Sequence, residues 1–357
     1  MRKFGFLLFL TALLLQACVV KSNVKLAFLH EYVLKSNVLN DSTKVGGLSG
    51  IDYANNFYYI VVDDPKAPRF LKASINIKNK RIDTIVFKKA LYLKNIDSNN
   101  YLDLESIFID LAKQQINFTS EGSINKNKRP LIFTTDFSGN FKNEVDLPKS
   151  FQNLSNIRHN GVFEGSSKDI AHNGFWVAME APLKSDGEEP KFKTTQSPVR
   201  ITYFDAFSRK ATKQFAYELE PITKPAKGNV NVNGVTAILA YATNKFLIIE
   251  RTYQSNYGAY GNIIRIFDAE ITKNTSNILN TTALQNTRYI PIKKRLLLDF
   301  KDYKDKLTEG IIDNIEGITF GPELENGNVS LILVADDNFK LYGKQLNQFI
   351  LLEMIKK

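Results

Sequence analysis

A chain of 357 residues, 43% hydrophobic and 24% charged, can bury a sizeable core as one large domain or two small ones, which excludes a disordered polymer. Its 47 Lys and Arg against 37 Asp and Glu give a formal charge of +10, yet no Lys/Arg block or basic helix stands out, which argues against a nucleic-acid partner. One cysteine and three histidines exclude a disulfide framework and a closed structural zinc site.

At the N-terminus, Met1-Arg2-Lys3 is a basic n-region and Phe4 to Leu15 an apolar stretch. That stretch is short for a membrane-spanning helix and the right size for a secretory signal. It runs into "LQAC", Leu15 to Cys18, which resembles a bacterial lipobox, with Gln16 where a small residue is commoner. Residues 1–17 are therefore read as a lipoprotein signal peptide, 18–40 as a lipidated N-terminus with a linker or first strand, and 41–357 as the folded domain. Losing Arg2 and Lys3 leaves 45 basic against 37 acidic residues, or +8. The expectation is a monomeric protein of the bacterial cell envelope, held to a membrane only through lipid on Cys18.

The rest reads as β throughout. Five segments can be laid over one another, each with a small turn, a short strand, a loop and a second apolar strand ending in polar residues. In chain order they are "GGLSGIDYANNFYYIVVDD" from Gly46, "DLESIFIDLAKQQINFTSEGS" from Asp103, "NGVFEGSSKDIAHNGFWVAMEAP" from Asn160, "NGVTAILAYATNKFLIIERTY" from Asn233 and "NIEGITFGPELENGNVSLILVADDN" from Asn314. With Gly50, Ser106, Gly165, Ala237 and Gly317 as equivalents, the steps are 56, 59, 72 and 80 residues. Spacing of this order suits four-stranded blades, so an all-β propeller is expected, with six blades favoured within a range of five to seven. The nearest approach to an amphipathic helix is "KRLLLDFKDYKDKL", Lys294 to Leu307.

In a propeller the equivalent residues of every blade converge on one axis. One recurring position carries Glu105, Glu164 and Glu316, with Ser49 and Thr236 in the other two repeats. A second, at the strand end, carries Asp63, Glu121, Glu180, Glu250 and Asp336. Two carboxylates about 4 Å apart repel by roughly 4 kcal/mol at an effective dielectric near 20, so a ring of them calls for a counter-charge. Oxygen-only ligands favour a hard ion, calcium first, with magnesium or manganese behind it. The alternative for each acid is a strand-end cap bound to neighbouring amides. Nearby cations are Arg158, Arg251, Lys66 and Arg69, any of which either pairs with these acids or grips a phosphate. No G-x-S-x-G elbow, P-loop or G-x-G-x-x-G occurs. His159 and His172 lie in or beside turns, and Trp176 belongs to an apolar strand.

These pieces resemble the esterase-like phytase family in order: "GGLSGIDY" with "VVDD", "DLESI" with "TSEGS", "RHNGVFEG", "WVAMEAPLKSDGEE", "SPVRITYFD", "LIIERTY", "GNIIRIFD" and, most specific, "NIEGITFGPEL" with "LILVADDNF". The resemblance spans about Gly46 to Phe339. It implies a propeller, export and hydrolysis of phosphate esters. Carried over residue by residue it points at Glu105, Glu121, Asn160, Glu164, Glu180, Glu250, Arg251, Glu316, Asp336 and Asn338. Members often carry an acid near Thr236, where this chain has none.

The expected function is metal-assisted hydrolysis of a small phosphorylated substrate. Its metal ligands are Glu105, Glu121, Glu164, Glu180, Glu250, Glu316 and Asp336. Glu180 or Glu250 is the base and Arg251 neutralises developing charge, while Arg158, Asn160, Arg251 and Asn338 bind substrate. The competing readings are a calcium-stiffened propeller that binds a glycan, peptide or protein without catalysis, and a carboxyl-ester hydrolase using a serine.

Overall fold

A computed structural model describes residues 24–35, 38–171 and 173–356. The expected signal peptide, Cys18 and His172 lie outside the described residues. Strand β1 (Val24–Val33) comes first, followed by a small hairpin of β2 (Leu39–Asn40) and β3 (Thr43–Lys44). Four sheets then follow in sequence. Blade 1 is β4 (Leu48–Ala54), β5 (Phe57–Val62), β6 (Arg69–Lys78) and β7 (Arg81–Tyr92); blade 2 is β8 (Leu104–Asp110), β9 (Gln115–Ser120), β10 (Leu131–Thr135) and β11 (Phe141–Glu144). Blade 3 is β12 (Phe163–Lys168), β13 (Gly174–Met179), β14 (Pro198–Asp205) and β15 (Ala211–Glu218); blade 4 is β16 (Asn231–Ala242), β17 (Lys245–Gln254), β18 (Asn262–Glu270) and β19 (Lys293–Asp299). Blade 5 takes β20 (Asn314–Glu323), β21 (Val329–Asp336) and β22 (Gln348–Lys356), and its outermost strand is β1, antiparallel to β22.

The first strands β4, β8, β12, β16 and β20 touch one another in a closed ring, which makes the molecule a five-bladed β-propeller among the described residues. Five lies inside the expected range and one below the favoured six. The long later steps go into connections, not a sixth blade: residues 219–230 and 271–292 are largely irregular. The connection between β13 and β14 and the 271–292 segment are stapled together inside the protein. Buried Asp186 accepts Arg200 Nε and Nη2 at 2.6 and 2.8 Å and the Leu284 amide at 3.0 Å. The stretch compared with a helix becomes β19 followed by a 3₁₀ segment, Phe300–Lys306.

Sequence pattern follows position in the blade. Middle strands are covered on both faces by neighbouring blades, so β5 (FYYIVV) and β21 (VSLILVAD) are near-continuous buried apolar runs. Outer strand β7 (RIDTIVFKKALY) is exposed at most of its positions and is polar between its apolar residues. The hairpins β4–β5 and β6–β7 close through Asn55-Asn56 and Asn79-Lys80, all at positive φ, as two-residue primed turns require.

Candidate metal centre

Every first strand breaks register at the same place. The skips fall between Leu48 and Gly50, Leu104 and Ser106, Phe163 and Gly165, Val235 and Ala237, and Ile315 and Gly317. The residues left over are Ser49, Glu105, Glu164, Thr236 and Glu316, the five positions equated by the repeat. A bulge leaves one residue outside the ladder and re-aims its side chain. The following residue must be small because neighbouring first strands approach backbone to backbone there. A Cβ on Gly165 would lie 2.8 Å from the Ile238 amide nitrogen, and one on Gly50 2.8 Å from the Glu105 carbonyl oxygen.

Two of the five bulge residues are spent on structure. Ser49 Oγ donates to the Leu104 carbonyl at 2.6 Å and Thr236 Oγ1 to the Ile315 carbonyl at 2.8 Å, each stitching its blade to the next. The other three are buried glutamates. Above them stand the residues that follow a second strand: Asp63, Glu121 and Glu180 donate their amides to the carbonyls of Gly47, Asp103 and Val162. Asp336, the last residue of β21, completes this tier.

The two tiers form one electrostatic unit. Oxygens of Glu105, Glu121 and Glu164 lie within 4.8 Å of one another, as do those of Asp63, Asp103 and Glu105. Burial, then Glu164, Asp63 and other acids, push the Glu105 carboxyl well above its ordinary range. Burial and the neighbouring acids raise Glu164, Glu316 and Asp63 in the same way. Glu121 is pushed up to about 8 by burial and Glu180, although it accepts the Val162 amide at 2.6 Å. Asp336 rises to about 7, chiefly through burial, against the pull of the Asn338 amide at 2.6 Å.

One cation enters. Arg251 donates from Nη2 to Glu180 at 2.8 Å and from Nη1 to Glu316 at 3.0 Å and to Asn314. Glu180 is also raised by burial, but Arg251 draws it back. Burial disfavours the Arg251 charge, and Glu180, Glu316 and Glu164 more than offset this and hold it protonated.

Glu250 does not join its repeat equivalents. Glu121 and Glu180 lie just beyond the ends of β9 and β13, whereas β17 continues to Gln254 and holds Glu250 in mid-strand. Its side chain faces blade 3, from which it accepts Tyr217 Oη at 2.8 Å and the Glu220 amide at 3.0 Å, and from its own blade it accepts Asn233 Nδ2 at 2.8 Å and Lys294 Nζ at 2.7 Å. Both oxygens are engaged, so the expectation of a metal ligand or base at Glu250 is corrected to a buried structural carboxylate. Successive strand residues point to opposite faces, so Arg251 takes the channel side.

The remaining candidates lie around the rim. Arg158 secures the loop after β13 by donating to the carbonyls of Pro182 and Gly187 and to Glu189, so its guanidinium is occupied away from the acids. Asn160 is exposed in a left-handed turn just before β12. Asn338 opens a run of three positive-φ residues that presses Phe339 against Gly46 and Gly47. Arg69 pairs with Asp64 at 2.7 Å, and Lys66 is exposed. Sequence reasoning passed over Asp103 and Asn314. Each lies two residues before a bulge glutamate and therefore near the same strand face, a signal present in "DLE" and "NIE".

An all-oxygen set of buried acids with one arginine among them fits a hard divalent cation. Asp63 Oδ1 adds to that fit, being buried without a hydrogen-bond partner beside Asp103. The acidic clusters can therefore hold a metal, with Asp63, Asp103, Glu105, Glu121 and Glu164 as the donors. A cavity of about 1010 Å³ opens at the other end of the molecule among Phe108, Lys168, Phe175 and Phe207 and contains none of these acids.

A family profile described as "Phytase-like: Esterase-like activity of phytase" matches residues 43–339. A search of curated proteins returned no match. Among solved structures, the chain is 11% identical to an exo-β-1,3-galactanase from Phanerochaete chrysosporium (TM-score 0.48), covering 90% of this chain and 64% of that one. It is 10% identical to an endo-1,4-β-xylanase from Bacteroides thetaiotaomicron (TM-score 0.45; 85% and 90%) and 8% identical to Kuenenia stuttgartiensis hydrazine synthase (TM-score 0.38; 81% and 64%). The chain thus spans less than two thirds of the galactanase and hydrazine synthase chains. Likeness at this level carries no argument about activity.

Proposed function

This chain belongs to the phytase-like family, and from that premise we propose that it is a calcium-dependent hydrolase of phosphate monoesters. The observation that carries the reading is the merging of two acidic tiers into one buried unit with Arg251 as the cation inside it. Asp63, Asp103, Glu105, Glu121 and Glu164 would hold the ion, which when bound neutralises the carboxylates and polarises a phosphoryl oxygen. Asp63 and Asp103 are only half-buried, so a substrate phosphate approaches from their side. Glu180, oriented by Arg251, accepts a proton from the attacking water. Water oxygen bonds to phosphorus, the ester P–O bond breaks, and the departing alkoxide takes a proton from solvent, to which Glu180 afterwards releases the one it accepted. Arg251 steadies the charge that gathers on the phosphoryl oxygens.

Activity of the purified full chain on an aryl phosphate, abolished by chelator and restored by calcium, is the expected result. Cleavage of an aryl acetate regardless of chelator would overturn it in favour of a carboxyl-ester hydrolase. A second reading has its own support: Glu105, Glu121, Glu164 and Glu316 are almost wholly buried, as suits an ion that stiffens a binding scaffold. Inactivity on both esters, with a Tm that rises on adding calcium, would favour that reading. We also propose export and lipid attachment at Cys18. Membrane-fraction protein carrying a diacylglyceryl mass at Cys18, released by Cys18→Ser, is the expected finding.

A further inference from the structure

A second charged site lies outside the channel. At the same end of the molecule as the acids, the outer edge of blade 4 encloses a cavity of about 410 Å³ with Lys224, Arg265, Lys301 and Lys304 on its lining. Its one carboxylate, Asp299, is already used, accepting the Lys301 amide at 3.0 Å and Lys301 Nζ at 3.1 Å. Arg265 is buried, and its Nε and Nη2 have no hydrogen-bond partner; its ion pair with Glu250 is long, 3.9 Å. A buried guanidinium with unmade hydrogen bonds costs stability unless a ligand supplies the acceptors. The cations also crowd one another. Burial, then Lys304 and Lys227, pull Lys224 below its ordinary value, and its ammonium is braced by the Tyr260 carbonyl at 2.8 Å and the face of Tyr257. Leu296, Ile312, Ile263 and Ile264 give the lining an apolar part, beside the polar Thr223 and Asn262.

We infer that this cavity binds a dianionic phosphoryl group carried on an apolar body, such as an aryl or acyl phosphate, at a site separate from the acidic channel. With Asp299 paired to Lys301, the three remaining cations Lys224, Arg265 and Lys304 select for two negative charges, the planar Arg265 fork offers paired donors, and the isoleucine and leucine walls take the apolar part. The inference goes beyond the hydrolase reading and does not depend on it.

The probe is phenylphosphonate, a non-hydrolysable aryl dianion, titrated calorimetrically into the full chain in EDTA so that the channel carries no divalent ion. Binding is expected, weakened about tenfold (1.4 kcal/mol) by the double change K301E/K304E on two exposed lysines. Arg265→Gln should weaken it at least as much, and Glu105→Gln, in the channel, should leave it unchanged. The inference is overturned by no binding, by binding indifferent to K301E/K304E, or by binding lost in Glu105→Gln. It is equally overturned if inorganic phosphate or benzoate binds as tightly as phenylphosphonate, since walls or charge would then count for nothing.

Discussion

Blades 2 and 4 are built on the same repeat and treat charge in opposite ways. In blade 2 the bulge residue is Glu105 and the residue after the second strand is Glu121, and among the described residues no lysine or arginine bonds either one. In blade 4 the bulge residue is Thr236, tied to a backbone carbonyl, and the acid Glu250 is met by a lysine, a tyrosine, an asparagine and an amide. One blade solves its electrostatics internally; the other leaves an acidic cluster for something brought from solution. A buried acid is thus no ligand by virtue of its repeat position alone. What separates the two cases is the partners already on its oxygens.

That contrast can be broken by mutation. Glu250→Ala should cost about 3–5 kcal/mol in urea unfolding, because Tyr217, Asn233 and the Glu220 amide lose their buried acceptor and Lys294 keeps only Glu220 as a carboxylate partner. It should leave calcium affinity untouched, and a loss of affinity would return Glu250 to the metal centre. Glu105→Gln should do the reverse, weakening calcium binding roughly a hundredfold by titration, as loss of a ligand-set member does, while raising the Tm of the metal-free protein. A fall in that Tm would mean the cluster is not repulsive.

The pH dependence sharpens the comparison. Folded carboxyls raised above their unfolded values bind more protons in the native state, so their stabilising contribution is complete below the unfolded range and is lost as pH rises through the folded values. In EDTA, stability should therefore fall from about pH 4.5 to about 8, the span set by Glu121 and including Asp336 at about 7. Calcium should flatten this fall, and a slope identical with and without calcium would argue against ion binding here. The smallest effect is expected at the other end of the channel. Lys168→Met removes the 2.9 Å pair with Asp52, which keeps the Ile109 amide and Thr319, so about 1 kcal/mol should be lost with the calcium response intact.

The repeat was readable because the bulge imposes two local demands, a residue to be re-aimed and a small one after it. Ser49-Gly50, Glu105-Ser106, Glu164-Gly165, Thr236-Ala237 and Glu316-Gly317 carry both in the sequence. Blade number was less readable because insertion length mimics strand length, and because the fourth strand of blade 5 is supplied from the chain's other end by β1. The fate of Glu250 was not readable at all. Its partner Tyr217 lies 33 positions away across the interface between two sheets, and Lys294 lies 44 positions away, two strands over in the same sheet. Asp103 was readable and passed over, its spacing from Glu105 being the ordinary alternation of a strand.

The pairing of β1 with β22, from Val24 opposite Lys356 to Val33 opposite Gln348, fastens the ring with segments from opposite ends of the described chain. During synthesis the first of these segments emerges early and has no mate until the last has left the ribosome. The nascent protein must therefore keep an apolar ribbon soluble throughout translation, and any export machinery that acts before folding meets a chain that cannot yet have locked itself shut.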